Sequence, residues 1–244
     1  HEGRITVTHD MLEGMKPILN DAHKKTPPGP RIEQLEKLLQ IDNFRGVEAY
    51  IVRDIFEVIN HDIDVVVELI GGVEVARELI LKAIKNKKHI VTANKAVLFN
   101  HGDEIFNEAR SNDVKVLFES SVCAGTPIIK LLTEELSANK VTKIAGMLNG
   151  TSNFILSNME EGADFKPTLE LAQKEGYAEP DPSFDIEGMD AAHKIGILSA
   201  LSLGTSLPPE DFYIEGITNI ESDDFKYASE IGYSIKHLAV AAFS

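Results

Sequence analysis

Ile63-Asp64-Val65-Val66-Val67-Glu68-Leu69-Ile70-Gly71-Gly72 is the stretch on which the fold turns. A near-continuous apolar run, largely β-branched and closed by paired glycines, has the character of a central parallel strand buried on both faces. A helix follows over residues 74–86, with Ala76, Leu79, Ile80, Ala83 and Ile84 forming its apolar stripe. Lys85, Lys87 and Lys88 gather at its end, where the helix dipole favours cations. Downstream the pattern predicts a strand at 89–92, a helix at 102–111 and a strand at 114–118. Upstream it predicts a strand at 48–52 and a helix at 54–59. Strands and helices alternating through short links give an α/β fold with a parallel, doubly wound sheet.

The first 46 residues carry the weakest pattern. A short strand at 4–8 and helices at 11–22 and 31–40 are expected, separated by the proline-rich break at 24–30. After Glu119 the character changes. A helix is expected from Pro127, presenting Ile128, Ile129, Leu131, Leu132 and Leu136, since proline suits a first turn. Next come a strand at 141–148, helices at 154–160 and 168–175, the latter closed by Gly176, and a helix carrying Asp190. A helix at 222–231 and an apolar strand at 235–243 complete an α+β second part. The predicted domains are 1–120 and 121–244.

The bulk numbers exclude several classes of function. A formal net charge of −15 argues against nucleic acid or an anionic membrane as partner. The single cysteine, Cys123, rules out an internal disulfide framework and fits a reducing compartment. No apolar run reaches membrane-spanning length and the N-terminus lacks a signal-peptide core. A cytoplasmic protein is expected.

In open parallel sheets, ligands bind beyond the carboxyl ends of the strands. Three such ends are chemically unusual here. Gly71-Gly72 is either plain turn chemistry or a place where a cofactor approaches the backbone closely. Thr92-Ala93-Asn94-Lys95 offers a lysine that could cap a helix, pair with a surface acid or face a ligand. The loop at 119–127 (Glu-Ser-Ser-Val-Cys-Ala-Gly-Thr-Pro) is either an ordinary crossover or an oxygen cage for a hard cation.

Residues 176–194 are the richest stretch chemically. Glu179, Asp181, Asp185, Glu187 and Asp190 crowd a proline-stiffened loop that runs into a helix bearing Lys194. Asp190 and Lys194 stand four apart with the acid first, so they share one helical face. Ile197 and Leu201 continue that row, which predicts that it faces protein. A solvated ion pair is the plain alternative. A charged pair heading a buried stripe is costly unless it is used or well satisfied.

Four ordered blocks resemble homoserine dehydrogenases: Val-Thr-Ala-Asn-Lys-Ala at 91–96, the 119–127 loop, Leu-Asn-Gly-Thr-Ser-Asn at 148–153, and 176–194. The resemblance covers about three-quarters of the chain, from Asp64 onward. It implies a partial Rossmann-like parallel sheet followed by an α+β catalytic and dimerisation domain. It further implies NAD- or NADP-dependent interconversion of homoserine and aspartate semialdehyde, with Asp190 and Lys194 as the acid/base pair and Lys95 near nicotinamide and substrate. Glu179 and Asp185 match substrate-contacting carboxylates, and Asn149, Gly150 and Thr151 the junction of cofactor and substrate. Gly71, Gly72, Thr92, Asn94 and Lys95 would border the cofactor. Glu119 and the backbone carbonyls of Val122, Ala124 and Thr126 match a monovalent-cation site, expected to take sodium. A homodimer through the second-domain sheet is implied too. For Lys194 to act as a base, burial must lower its pKa against the upward push of the neighbouring carboxylates. Cys123 stands where many relatives have glycine, which predicts a packing difference there.

Both ends depart from the family. No Gly-x-Gly-x-x-Gly occurs in residues 1–70, and relatives continue past the final strand. A partial chain is the favoured reading, with a diverged relative and an isolated fragment as the others. The competing functions are a non-catalytic amino-acid-binding remnant and a dehydrogenase of another small hydroxy acid.

Overall fold

The computed structural model describes the backbone of residues 4–8 and 48–52, and backbone with side chains for 54–204 and 212–243. The helices expected at 11–22 and 31–40 lie outside these residues. The chain divides into two compact units, residues 1–118 and 119–244.

In the first unit β1 (Arg4–Thr8) pairs in parallel with β2 (Glu48–Val52). Asp54 then caps a 3-10 helix, Ile55–Asn60, accepting from the Phe56 amide, where an α-helix was expected. β3 (Val65–Glu68), β4 (His89–Thr92) and β5 (Val116–Leu117) form a second parallel sheet in the order β3-β4-β5. The mixed α/β class with a parallel sheet follows directly.

The crossovers are α1 (Glu74–Lys85) and α2 (Lys95–Asn112). All five residues of the predicted α1 stripe are buried. They cover one face of the sheet, opposite Val66 and Ile90. The other face differs from the expectation of a strand buried on both sides: Val65 and Val67 stay 44% and 42% exposed. The apolar run therefore reads as alternating in the structure, and the residue it hides at its end is a charged one, Glu68. Helix α2 begins seven residues before the predicted start because the Asn94 side chain accepts from the Val97 amide and caps it. Non-helical backbone at His101 kinks it, which hid the first half from periodicity.

The second unit is α+β. After a 3-10 turn at Glu119–Ser121, the helix expected from Pro127 is only Ile128–Lys130 followed by a π-turn, Leu131–Glu135. Of its predicted apolar face Ile129 is buried, whereas Leu131 is exposed. β6 (Lys143–Gly146) pairs antiparallel with β7 (Ala239–Ala242), so the closing apolar segment is shorter than expected and already partnered along one edge.

Helices α3 (Gly150–Glu160) and α4 (Phe165–Glu175) pack together through Ile155, Leu156, Met159 and Ala172. Gly176, with φ of 82°, closes α4 in the left-handed conformation that favours glycine. A single turn, Ser183–Ile186, leads to α5 (Met189–Leu203), and α6 (Ser222–Glu230) follows, held at its start by a capping box of Glu221 and Asp224. Helix α5 is buried on nearly all sides from Asp190 to Ser199. An apolar helix of this kind belongs in a core.

Candidate active site

The four sequence blocks fall into two clusters, one in each unit. In the second unit, Asn149 ends the segment after β6 and caps α3, its Oδ1 accepting from the Ser152 amide at 2.7 Å. That leaves its amide nitrogen, and both of its N–H bonds are spent on carboxylates. Asn149 Nδ2 donates to Asp185 Oδ1 at 2.7 Å and to Asp190 Oδ2 at 2.8 Å. An N-cap asparagine thus gathers the two acids that the 176–194 loop carries.

Asp190 sits in the first turn of α5 and is 3% exposed. An acid there is favoured by the helix dipole. Its Oδ2 also lies 2.7 Å from Lys194 Nζ, with the lysine side chain 18% exposed. Lys194 Nζ donates in addition to the Leu148 carbonyl at 2.8 Å. The expected pair is therefore formed, and formed inside protein, so the solvated surface pair does not describe it. A buried pair of this kind is stable only when hydrogen bonds satisfy what its charges lose in water; Asn149 and Leu148 provide them.

Asp185 receives a second side chain. Thr151 Oγ1 lies 2.6 Å from the Tyr177 carbonyl and 3.0 Å from Asp185 Oδ2, and Ser152 Oγ donates to the Asp185 carbonyl at 3.1 Å. These bonds tie the Gly176–Pro182 loop to the start of α3, an attachment reinforced by Tyr177 stacked on Phe154 with centroids 4.6 Å apart. Glu179 lies on this loop, exposed, and its carboxylate accepts no hydrogen bond among the described residues. Its backbone is fixed instead, the Glu179 and Pro180 carbonyls both accepting from Gln173 Nε2. Asp181 is exposed on the turn, and the Ser183 hydroxyl and amide donate to it and hold its pKa below the ordinary 3.8.

Glu119 opens the second unit. Its Oε1 accepts from the Ile129 amide at 2.7 Å and its Oε2 from the Lys130 amide at 3.0 Å, so it caps the short helix after Pro127. Thr126 closes a turn by donating its amide to the Cys123 carbonyl at 2.9 Å, with Gly125 at φ of 80°. Each carboxylate oxygen retains a lone pair, and the carbonyls of Val122, Ala124 and Thr126 lie on the same loop. The Thr126 carbonyl already accepts from the Ile128 amide at 2.8 Å. Cys123 is half-buried in this loop, and desolvation pushes its thiol above the ordinary 9.0, partly offset by the nearby Lys194 charge.

The first unit holds the other cluster, at the carboxyl ends of β3 and β4. Gly71 and Gly72 adopt φ of 75° and 70°, conformations that exclude most side chains. Asn94 donates to the Gly72 carbonyl at 2.8 Å, and its amide N–H is accepted by Thr92 Oγ1 at 3.0 Å. Lys95 is the first residue of α2 and is partly buried. Glu68, which the sequence reading passed over, connects the loop after β3 to the loop after β4. Its Oε2 accepts from Thr92 Oγ1 at 2.6 Å, and its Oε1 from the Ile70 and Gly71 amides at 2.9 and 3.3 Å. The signal was a lone charge at the end of an apolar run.

Among the described residues no helix is long and apolar enough to cross a membrane.

Comparison with known proteins identifies the family. Residues 28–119 match the family model described as homoserine dehydrogenase, NAD binding domain, and residues 127–244 match that of homoserine dehydrogenase. The chain is 54% identical over 193 residues to a homoserine dehydrogenase of Pseudomonas aeruginosa, covering 78% of this chain and 44% of that protein. It is 55% identical over 194 residues to one from Neisseria gonorrhoeae, covering 79% and 45%. The crystal structure of a homoserine dehydrogenase from Thiobacillus denitrificans superimposes with a TM-score of 0.78 at 39% identity, over 100% of this chain and 60% of that one. The chain thus spans about half the length of the curated relatives it matches. With a Rossmann-like parallel sheet in its first unit and a carboxylate–lysine pair held by an N-cap asparagine in its second, the chain belongs to the homoserine dehydrogenase family.

Proposed function

We propose that this protein catalyses the NAD- or NADP-dependent interconversion of homoserine and aspartate semialdehyde. The observation that carries the reading is Lys194: Asp190 and the Leu148 carbonyl take two positions around Nζ, leaving one, among the described residues, for a substrate oxygen. Residues 1–120 would serve as the nucleotide-binding part and 121–244 as the substrate-binding and catalytic part.

A nicotinamide cofactor, when bound, would supply the hydride chemistry at the substrate C4. The protein's part is to hold the substrate and move one proton. In the oxidative direction the hydroxyl proton passes to Lys194 Nζ as the C4–H bond breaks. In the reductive direction the Lys194 ammonium returns it to the developing alkoxide. Asp190 fixes the amino group through both steps and, with Asn149, keeps it from swinging away. The Glu179 carboxylate, uncommitted among the described residues, would receive the substrate ammonium. Asp185, already accepting from Asn149 and Thr151, would shape that site more than bind in it.

Gly71, Gly72, Thr92, Asn94 and Lys95 would border the cofactor in the first unit, consistent with the match to the family's NAD-binding domain. Glu119 and the Val122, Ala124 and Thr126 carbonyls would hold sodium, stiffening the loop ahead of Ile128. The working form would be a homodimer.

The test is calorimetric titration with NADH, NADPH and homoserine, followed by a 340 nm assay of homoserine oxidation. Turnover abolished by Lys194→Ala supports the proposal. Homoserine binding without cofactor binding or turnover would instead make the protein an amino-acid-binding module.

A further inference from the structure

Glu68 is a buried carboxylate with a surprising set of neighbours. It is 1% exposed, and its donors among the described residues are neutral: two backbone amides, the Thr92 hydroxyl, and the Asn94 amide at 3.5 Å. A buried anion is costly, and neutral donors compensate it only when several converge. Here they come from two different loops. Ile70 and Gly71 belong to the loop after β3; Thr92 and Asn94 belong to the loop after β4. One charge therefore couples the carboxyl ends of two neighbouring parallel strands.

The coupling reaches further through each donor. Thr92 gives its single hydroxyl proton to Glu68 and so accepts from the Asn94 amide N–H, which orients Asn94. Asn94 then holds the Gly72 carbonyl and caps α2 immediately before Lys95. An added Cβ would meet nothing within 4 Å at Gly71 or Gly72, so among the described residues no close packing on that side holds this turn. Hydrogen bonds hold it, and most of them lead to Glu68.

We propose that Glu68 is a positioning residue for nicotinamide-cofactor binding, locking the Gly71–Gly72 turn and the Thr92–Asn94 turn into one ligand-ready arrangement. It acts through those turns and does not touch the ligand. The inference rests on the proposed nicotinamide chemistry of the first unit.

The test compares wild type with Glu68→Gln and Thr92→Val. A glutamine amide presents donors to donors on one side or the other, and valine removes the hydroxyl while keeping its shape. Two readouts are taken: backbone amide exchange at Ile70, Gly71 and Asn94 without ligand, and the Kd for NADH and NADPH. Expected are faster exchange in both loops for each variant and a Kd raised about tenfold, as for loss of about one charge-assisted hydrogen bond. The double variant should be no worse than the more affected single one, because both break the same chain. Faster exchange with an unchanged Kd overturns the proposal and leaves the enzyme reading standing. If wild type binds neither nucleotide, the function reading falls and takes this proposal with it.

Discussion

The amide group of Asn149 and the carboxylate of Asp190 meet at 2.8 Å, joining the N-cap of one helix to the first turn of another. The two residues are 41 positions apart in sequence. This bond makes a helix cap part of the candidate active site, because the same asparagine that starts α3 also holds the acid facing Lys194.

Asn149→Asp should separate the two roles. Aspartate caps a helix as well as asparagine does, so thermal stability should change little through the cap itself. A third carboxylate between Asp185 and Asp190 would repel both and titrate above the usual range. Homoserine turnover should fall at least about tenfold near pH 7 and recover in part as the pH is lowered and residue 149 takes up a proton. A loss that is independent of pH would refute this account.

Lys194→Ala leaves Asp190 buried without its cation, a change that typically costs about 3–5 kcal/mol. The paired variant Asp190→Asn with Lys194→Ala should be more stable than Lys194→Ala alone. Denaturant titration of the four-member cycle measures the coupling. Additive losses would show that the pair contributes nothing beyond its separate parts.

Acid should weaken the second unit through identifiable groups. Lys236 and Ser234 hydrogen-bond Glu160 and hold it below the ordinary 4.5, with Lys236 Nζ 2.6 Å away. Arg77 does the same for Glu104 in the first unit through two bonds of 2.6 Å. A carboxylate whose folded pKa is depressed stabilises the fold above its unfolded pKa, and that contribution disappears as the pH falls through the folded value. Glu160→Gln should therefore lower the melting temperature at pH 6 relative to wild type, and the gap should close on acidification below pH about 4. Both pairs are exposed, so added salt should narrow the gap as well.

Two glycines should respond differently to alanine for steric reasons. A Cβ on Gly216 would collide with the Ile186 carbonyl and come within 2.6 Å of Glu187 Cα, in the turn that delivers α5. Gly216→Ala should cost about 1–3 kcal/mol and lower activity by displacing Asp190. At Gly176 the same Cβ meets nothing within 4 Å, and only the positive φ resists it. There the loss should be about 1 kcal/mol, with activity retained. Chemical denaturation of both variants compares them directly.

Cys123 should alkylate slowly. Burial raises its thiol pKa, so the thiolate that reacts is scarce near neutrality. Iodoacetamide labelling in the native state should lag well behind labelling in denaturant, and equal rates would contradict the burial.

Local sequence pattern determined the elements that repeat at short range. The α1 stripe, the β4 strand, the closure of α4 by Gly176 and the i,i+4 pairing of Asp190 with Lys194 all follow from spacings within a few residues. The four family blocks were equally legible, because each is a contiguous run. What tertiary structure alone decided is which loop each side chain serves. Val65 and Val67 look as buried as Val66 in sequence, but only one face of β3 is covered by α1. Glu68 is a charge in an apolar run until the loops after β3 and β4 converge on it. Asn149 is a helix cap until the 176–194 loop returns two carboxylates to it from 36 and 41 residues away. Hydrogen-bond partners at such separations leave no periodic trace in sequence, because the chain brings them together only when the cores around α1 and α5 have formed.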